Sequence, residues 1–208
     1  MLEGRVEDFP LFPLDLVALP TETVPLHVFE ERYLLMVGEC LEQEREFGIV
    51  WLSDEELHEV GCACEIDHIV QRDEDGTLDI VVHGTQPLRV IERQSDLAYP
   101  AAIVEALEDE AELADPEVAQ VARELYGELV QEATDRMLSE RELEELDAYT
   151  MAGTIEFGTD AKQELLELRS ENARMRLLAM LFQTALKRLQ LLDRAQARAR
   201  SNGKVRFG

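Results

Sequence analysis

The sequence predicts an α+β fold, with strands first and helices after. Three observations carry this. Short apolar runs with turn residues between them recur from residue 9 to residue 107. Beyond residue 115 the apolar residues fall instead at spacings of three and four. The charge balance also shifts between the two parts. Residues 1–158 hold nine of the 20 Lys and Arg but forty of the 45 Asp and Glu, whereas residues 159–208 carry a net +6. A run of strands followed by a run of helices argues against a doubly wound sheet.

The strands come first. Phe9-Pro-Leu-Phe-Pro-Leu14 is apolar with two prolines, which suits an edge strand and its turn. Residues 30–44 have helical spacing, with Tyr33, Leu34, Val37 and Leu41 on one side. Phe47–Leu52 reads as a short buried strand. Val60–Val70 alternates, with Cys62, Cys64, Ile66 and His68 facing one way. Asp75-Gly76 tolerates the positive φ of a hairpin turn and leads into Leu78–Val82. Leu88–Ile91 and Ala101–Leu107 complete the set, and short strands at this spacing suggest a small barrel or sandwich.

The helices follow the acidic stretch Glu105–Glu117. Asp115-Pro116 is an N-cap with proline at the first helical position. It opens an apolar stripe of Val118, Val121, Ala122, Leu125 and Leu129. Ser139 with Glu142, and Asp160 with Gln163, fit capping boxes. Ser170 caps a long final helix whose stripe runs from Leu178 to Leu192. The expected organisation is a strand-rich domain at 1–110, a helical subdomain at 111–200 and a loose basic tail at 201–208.

Composition narrows the function. A chain of 208 residues, 46 % hydrophobic, can bury a core without staples. A net charge of −25 repels phosphates and anionic lipid, so nucleic acid and membrane are not the expected partners. The first 14 residues hold one Arg, three acids and no apolar run of signal-peptide length. No stretch approaches the roughly 18 apolar residues of a membrane span. Three cysteines do not make a disulfide framework. A cytoplasmic protein with reduced thiols is expected.

Catalytic signatures are missing from the sequence. It has no phosphate-cradling Gly-x4-Gly-Lys-Ser/Thr loop, no Gly-x-Gly-x-x-Gly, no Gly-x-Ser-x-Gly elbow and no His-Glu-x-x-His. Lys162, Lys187 and Lys204 do not sit in the context of a Ser–Lys dyad. His58, Cys62, Cys64 and His68 have the right chemistry for zinc or copper. On one strand, however, residues 62 and 68 lie roughly 20 Å apart, too far for a single tetrahedral site. The two cysteines are read as small core residues. Asp73-Glu74-Asp75-Gly76 lacks the spacing of a calcium loop and is read as a turn. His27 and His83 have no identifiable catalytic partner. No metal or cofactor is expected. The basic residues Arg169, Arg174, Arg176, Lys187, Arg188, Arg194, Arg198 and Arg200 either complement the acidic body or offer a docking face.

Several blocks, taken in order, resemble a known family. They are Phe9-Pro-Leu-Phe-Pro-Leu14, Pro25-Leu-His-Val-Phe-Glu-x-Arg-Tyr33, Phe47-Gly-Ile-Val50, Val60-Gly61, Asp75-Gly76 leading to Val82-x-Gly84, Leu88-Arg-Val90 and Tyr99-Pro100. In the helical half they continue as Tyr149-Thr-Met-Ala-Gly153 and Lys162-Gln163-x-Leu-Leu166. Together they resemble the N-terminal substrate-binding domain of the Lon protease, over about residues 8–195. The resemblance implies a PUA-like β pseudo-barrel, then a helical subdomain with a long C-terminal helix. It implies a non-catalytic module that binds polypeptide, unfolded or damaged protein included, in quality control or as an adaptor. The ATPase and peptidase modules that follow this domain in the protease have no counterpart in the 208 residues, so a free-standing domain is expected.

Two departures stand out. The family's Gly-x-x-Arg-Phe-Arg is here Gly84-Thr-Gln-Pro-Leu-Arg89, which keeps only the second Arg, and the loop at 53–58 is short. The candidate polypeptide-binding residues are His27, Glu30, Arg32, Tyr33 and Arg89, with Glu30 and Arg32 also able simply to tie a helix down. The alternative function is RNA binding, which PUA-like barrels support. It would fall to the basic last helix, with Arg194, Arg198 and Arg200 docking the anionic partner.

Overall fold

Leu11 and Gly48 lie side by side on parallel strands, and the rest of the barrel is built outward from that pair. The computed structural model describes residues 2, 4–53, 56–112 and 115–202, with side chains to residue 192. The strands are β1 (Arg5–Leu14), β2 (Thr23–Val28), β3 (Phe47–Ser53), β4 (Glu56–Arg72), β5 (Leu78–Gln94) and β6 (Ala101–Ala106). The helices are α1 (Glu31–Gln43), α2 (Pro116–Thr134), α3 (Glu140–Glu144), α4 (Ala148–Ala152), α5 (Thr159–Glu167) and α6 (Glu171–Asn202).

The sheet order is β2-β5-β4-β3-β1-β6, and β6 also pairs back onto β5. That second pairing closes β1, β3, β4, β5 and β6 into a ring, the expected pseudo-barrel. Its interior is a cluster of Phe9, Leu11, Val50, Ala63, Leu88, Ala102 and Val104, drawn from all five ring strands. Each large apolar side chain buried there contributes about 1.5–3 kcal/mol.

β1 is not the edge strand its prolines suggested. It lies between β3 and β6. The prolines are tolerated because pairing on the two sides is staggered. The Leu11 N–H donates to the Pro100 carbonyl (2.8 Å), so alternation turns Pro13 toward the same side, beyond the end of β6. Pro10 faces the other side, just before pairing with β3 begins. Neither proline breaks a ladder bond.

β4 and β5 are each 17 residues long, so the segments read as Leu78–Val82 and Leu88–Ile91 form one continuous strand. The ends joined by the turn reach past the barrel. There β5 carries β2 on one side and β4 on the other, making a three-stranded arm. Gly76 takes φ +92° in the connecting turn. Thr77 Oγ1 donates to Asp73 and Asp75, so the turn itself uses these carboxylates, and its hydrogen bonds hold Asp75 below the usual carboxylate range.

Alternation fails along β4. Val60, Gly61, Cys62, Ala63 and Cys64 are all buried, because both faces are covered there. One face looks into the barrel, and α5 packs on β4. Register shifts at Ala63/Cys64 and Ile66/His68 further break the even-numbered face expected of residues 62, 64, 66 and 68.

The chain divides into two compact units, residues 1–111 with 149–170, and residues 112–148 with 171–208. The first unit thus includes α5, which the division into 1–110 and 111–200 had grouped with the later helices. Gln163 does not close a capping box at the start of α5, where Gly158 is the N-cap. Its Nε2 donates instead to the Val60 carbonyl of β4 (3.1 Å). In the second unit α2 and α6 pack through Ala122, Tyr126 and Leu129 with Leu178, Phe182 and Leu186, and the Tyr126 and Phe182 rings lie 5.5 Å apart. Asp115 caps α2 as expected, and Ser139 with Glu142 forms the expected capping box of α3. The 201–208 tail lies outside the residues whose side chains are described.

Candidate functional site

The candidate residues of the Pro25–Tyr33 block divide by burial. His27 lies on the exposed face of β2, opposite Asp79 of β5. Its Nδ1 is 2.7 Å from Asp79 Oδ1, and its ring stacks on Phe29 at 5.8 Å. Phe29 follows the strand and is 62 % exposed.

Glu30 and Arg32 pair with each other across the start of α1. The Arg32 Nη2–Glu30 Oε2 distance is 2.7 Å. Tyr33 is core. It is 5 % exposed and stacks on Phe12 at 4.2 Å, and the Arg32 guanidinium covers its ring at 4.6 Å. Burial pushes the Tyr33 phenol up. The helix therefore presents Tyr33 to the barrel and leaves His27 and Phe29 outside. The buried stripe of α1 is Tyr33, Met36, Val37 and Cys40, and Leu41 is on the rim.

Arg89 is not part of this group. It lies ten residues beyond Asp79 on β5, roughly 30 Å along the strand. It lines an open cavity of about 800 Å³ with His58, Arg93, Glu92 and Glu167. The carboxylates there offset the cations, so Arg89 does not stand out as an anion site.

The histidine–cysteine set is dispersed. His58 stacks on Trp51 at 4.4 Å, with the two rings nearly parallel, and its Nδ1 lies 4.0 Å from Glu167. Cys62 and Cys64 are buried, and their thiols donate to the Ala63 and Cys62 carbonyls. Burial pushes the Cys62 thiol well up, which keeps it protonated. His68 pairs with its neighbour Asp67 at 2.9 Å. Among the described residues, no three His, Cys, Asp or Glu side chains are placed to share a metal ion.

Several cations of the basic segment have internal partners. Arg169 donates to the Glu108 carbonyl (3.0 Å), Arg174 is buried against Glu171 (3.1 Å), and Arg176 lies 3.8 Å from Asp115. Of the three, Arg174 is buried, whereas Arg169 and Arg176 remain 43 % and 56 % exposed. The side chains of Arg194, Arg198 and Arg200 lie outside the described residues.

Sequence reasoning missed the exposed apolar residues of the arm. Among the described residues of the first unit, Phe29 and Val70 are the most exposed large apolar ones, with Ile69 beside Val70. Ile69 pairs with Ile80, which is in register with Leu26 on β2. Val70 sits at the register shift between Ile69 and Gln71, which turns it outward. The available signal was the adjacent apolar pair Ile69-Val70, since strand alternation turns one of two successive side chains outward.

The fold built on this ring of five strands is shared with solved N-terminal domains of Lon proteins. The chain belongs to the ATP-dependent protease La (LON) substrate-binding domain family, whose model matches residues 8–184. It is 25 % identical over 203 residues to a Lon protease of Anaeromyxobacter dehalogenans (strain 2CP-C), covering 89 % of this chain and 24 % of that protein. The chain thus spans about a quarter of that relative's length. Two solved structures share the fold. A Lon N-terminal domain protein from Xanthomonas campestris aligns with a TM-score of 0.64 at 24 % identity, over 83 % of this chain and 97 % of its own. The N-terminal domain of a Mycobacterium avium complex Lon protease aligns with a TM-score of 0.63 at 20 % identity, over 85 % and 98 %.

Proposed function

We propose that this chain is a non-catalytic module that recognises polypeptide, acting in cytoplasmic protein quality control or as an adaptor, and that the arm is its contact surface. Family membership supports the substrate-recognition part of this reading. The observation that carries the choice of surface is the exposure of Phe29 (62 %) and Val70 (61 %) on one three-stranded arm. Isolated exposed apolar residues are ordinary. Here the aromatic ring is held in place by stacking on His27, and His27 is held by Asp79. A pre-ordered aromatic loses little entropy on contact, which favours its use in recognition.

An unfolded chain differs from a folded one in offering apolar side chains and unpaired backbone together. The arm meets the first by burial of its apolar side chains. Fluorescence anisotropy with labelled casein tests the reading. The protein is expected to bind, and Phe29→Ser with Val70→Ser is expected to weaken binding about tenfold. Absence of binding by the unaltered protein at moderate salt contradicts it.

A further inference from the structure

β3 starts too late to line the whole of β4. Its first residue, Phe47, pairs with Cys64, and its pairing with β1 starts at Leu11. β4 runs on to Arg72. Its last eight residues, Glu65–Arg72, pair with β5 on one side and, among the described residues, with no strand on the other. The cause is local. At the end of α1, Glu44 takes a left-handed conformation (φ 50°, ψ 44°), so the chain turns into β3 only at Phe47. Arg45 then fixes the turn by donating to the Asp8 carbonyl of β1 (2.7 Å).

At the start of the row that β3 leaves vacant, an open cavity of about 540 Å³ reaches Glu65 and Ile66 of β4. Val6 and Phe9 of β1, Cys40 and Leu41 of α1, and Ile66 of β4 give it an apolar lining. Glu44 and Glu65 are exposed at its rim, and with Glu46 they set three carboxylates against one cation, Arg45, which donates to the Asp8 backbone carbonyl. An open strand edge offers N–H and C=O groups to another extended chain. Its neighbours here ask for apolar and basic side chains.

We propose that this cavity takes an extended polypeptide segment as an added strand against Glu65–His68 of β4, with apolar side chains toward Val6, Leu41 and Ile66 and a Lys or Arg toward Glu44 and Glu65. The proposal deepens the polypeptide-recognition reading and rests on it. The site is separate from Phe29 and differs in kind. The arm contacts side chains, whereas this edge reads backbone. A second copy of the chain is the poorer occupant, because it brings a further net −25 to an acidic rim.

The test uses the full chain, isotopically labelled for NMR, and a fluorescent peptide of about ten residues alternating valine and lysine. The peptide is expected to bind and to slow amide exchange at Glu65–His68 about tenfold. N-methylation of alternate peptide residues, which removes the strand donors, is expected to weaken binding about tenfold or more. Exchanging its lysines for glutamates, or the protein substitution Ile66→Lys with its fold checked by the same spectrum, is expected to do likewise.

The proposal is overturned by any of four outcomes. These are no binding, equal binding of the N-methylated peptide, unchanged exchange at Glu65–His68, or protection of that edge by self-association without peptide. Casein binding measured in parallel separates the two readings. If casein binds while the edge stays unprotected, only the edge proposal fails. If the unaltered protein binds no casein, the broader reading fails with it.

Discussion

Lys162 of α5 closes an ion pair with Glu22, 140 positions earlier in the chain, and both side chains are largely buried, at 16 % and 12 % exposure. Glu22 also accepts from the Leu19 N–H at 3.0 Å. The pair pins the β1–β2 connection beneath α5. The sequence offered Lys162 as one of three lysines to weigh as a catalytic base. The structure gives it this tether instead.

Removing one partner strands a shielded charge, which costs more than the pair contributes. Lys162→Met is expected to lower stability by about 2 kcal/mol, less than for a fully dry pair. Combining it with Glu22→Gln is expected to recover part of the loss. The urea midpoint, read at unchanged slope, measures both.

Gly84 lies where the same connection crosses β5. Its N–H donates to the Glu22 carbonyl (2.9 Å), and its carbonyl accepts from Thr21 (2.8 Å). A Cβ there would stand 2.1 Å from the Leu19 carbonyl oxygen. Backbone cannot give way as a side chain tip does, so Gly84→Ala is expected to cost about 3 kcal/mol or more. A melting temperature equal to that of the unaltered protein would contradict the close approach.

How much of this was legible in the sequence depends on range. Local signals read well, such as Asp115-Pro116, Ser139 with Glu142, and Asp75-Gly76, because each is a backbone need met within a few residues. The order of blocks around Pro25–Tyr33 carried the family and, with it, the barrel. Long-range facts did not read. Pro10 and Pro13 looked like edge markers until the staggered pairing on the two sides of β1 was known. Gln163 looked like a cap, and its real partner is the Val60 carbonyl on another element. In the candidate site, His27 was found and its neighbour Phe29 was not, because exposure follows from where β2 docks on β5. Tyr33 was proposed for contact, yet its ring is taken up by Phe12.

The three cysteines are buried. Burial pushes the Cys40 thiol up to about 11. At pH 8 about one Cys40 in a thousand is then a thiolate. Ellman's reagent is expected to react slowly with the folded protein and rapidly with all three thiols in urea. A fast thiol in the native state would contradict the packing around α1 and β4.

Tyr99 is held at about 12 by burial and by donating its hydroxyl to Glu39 at 2.5 Å. The folded value lies above that of the unfolded chain, near 10. The neutral phenol's contribution is therefore complete below pH 10 and is lost as pH rises toward 12. Stability is expected to fall over that window, and Tyr99→Phe is expected to flatten the fall while costing about 1 kcal/mol at neutral pH. Urea titrations at pH 7, 10 and 11 measure it.

Polypeptide is proposed to meet the exposed arm. Site-specific photocrosslinking tests it most directly, with benzoylphenylalanine placed at Phe29 and, as a control, at Leu97, an exposed apolar position outside the arm. Casein is expected to attach to the probe at position 29 and not to the one at 97. No attachment at 29, or equal attachment at both, would contradict it.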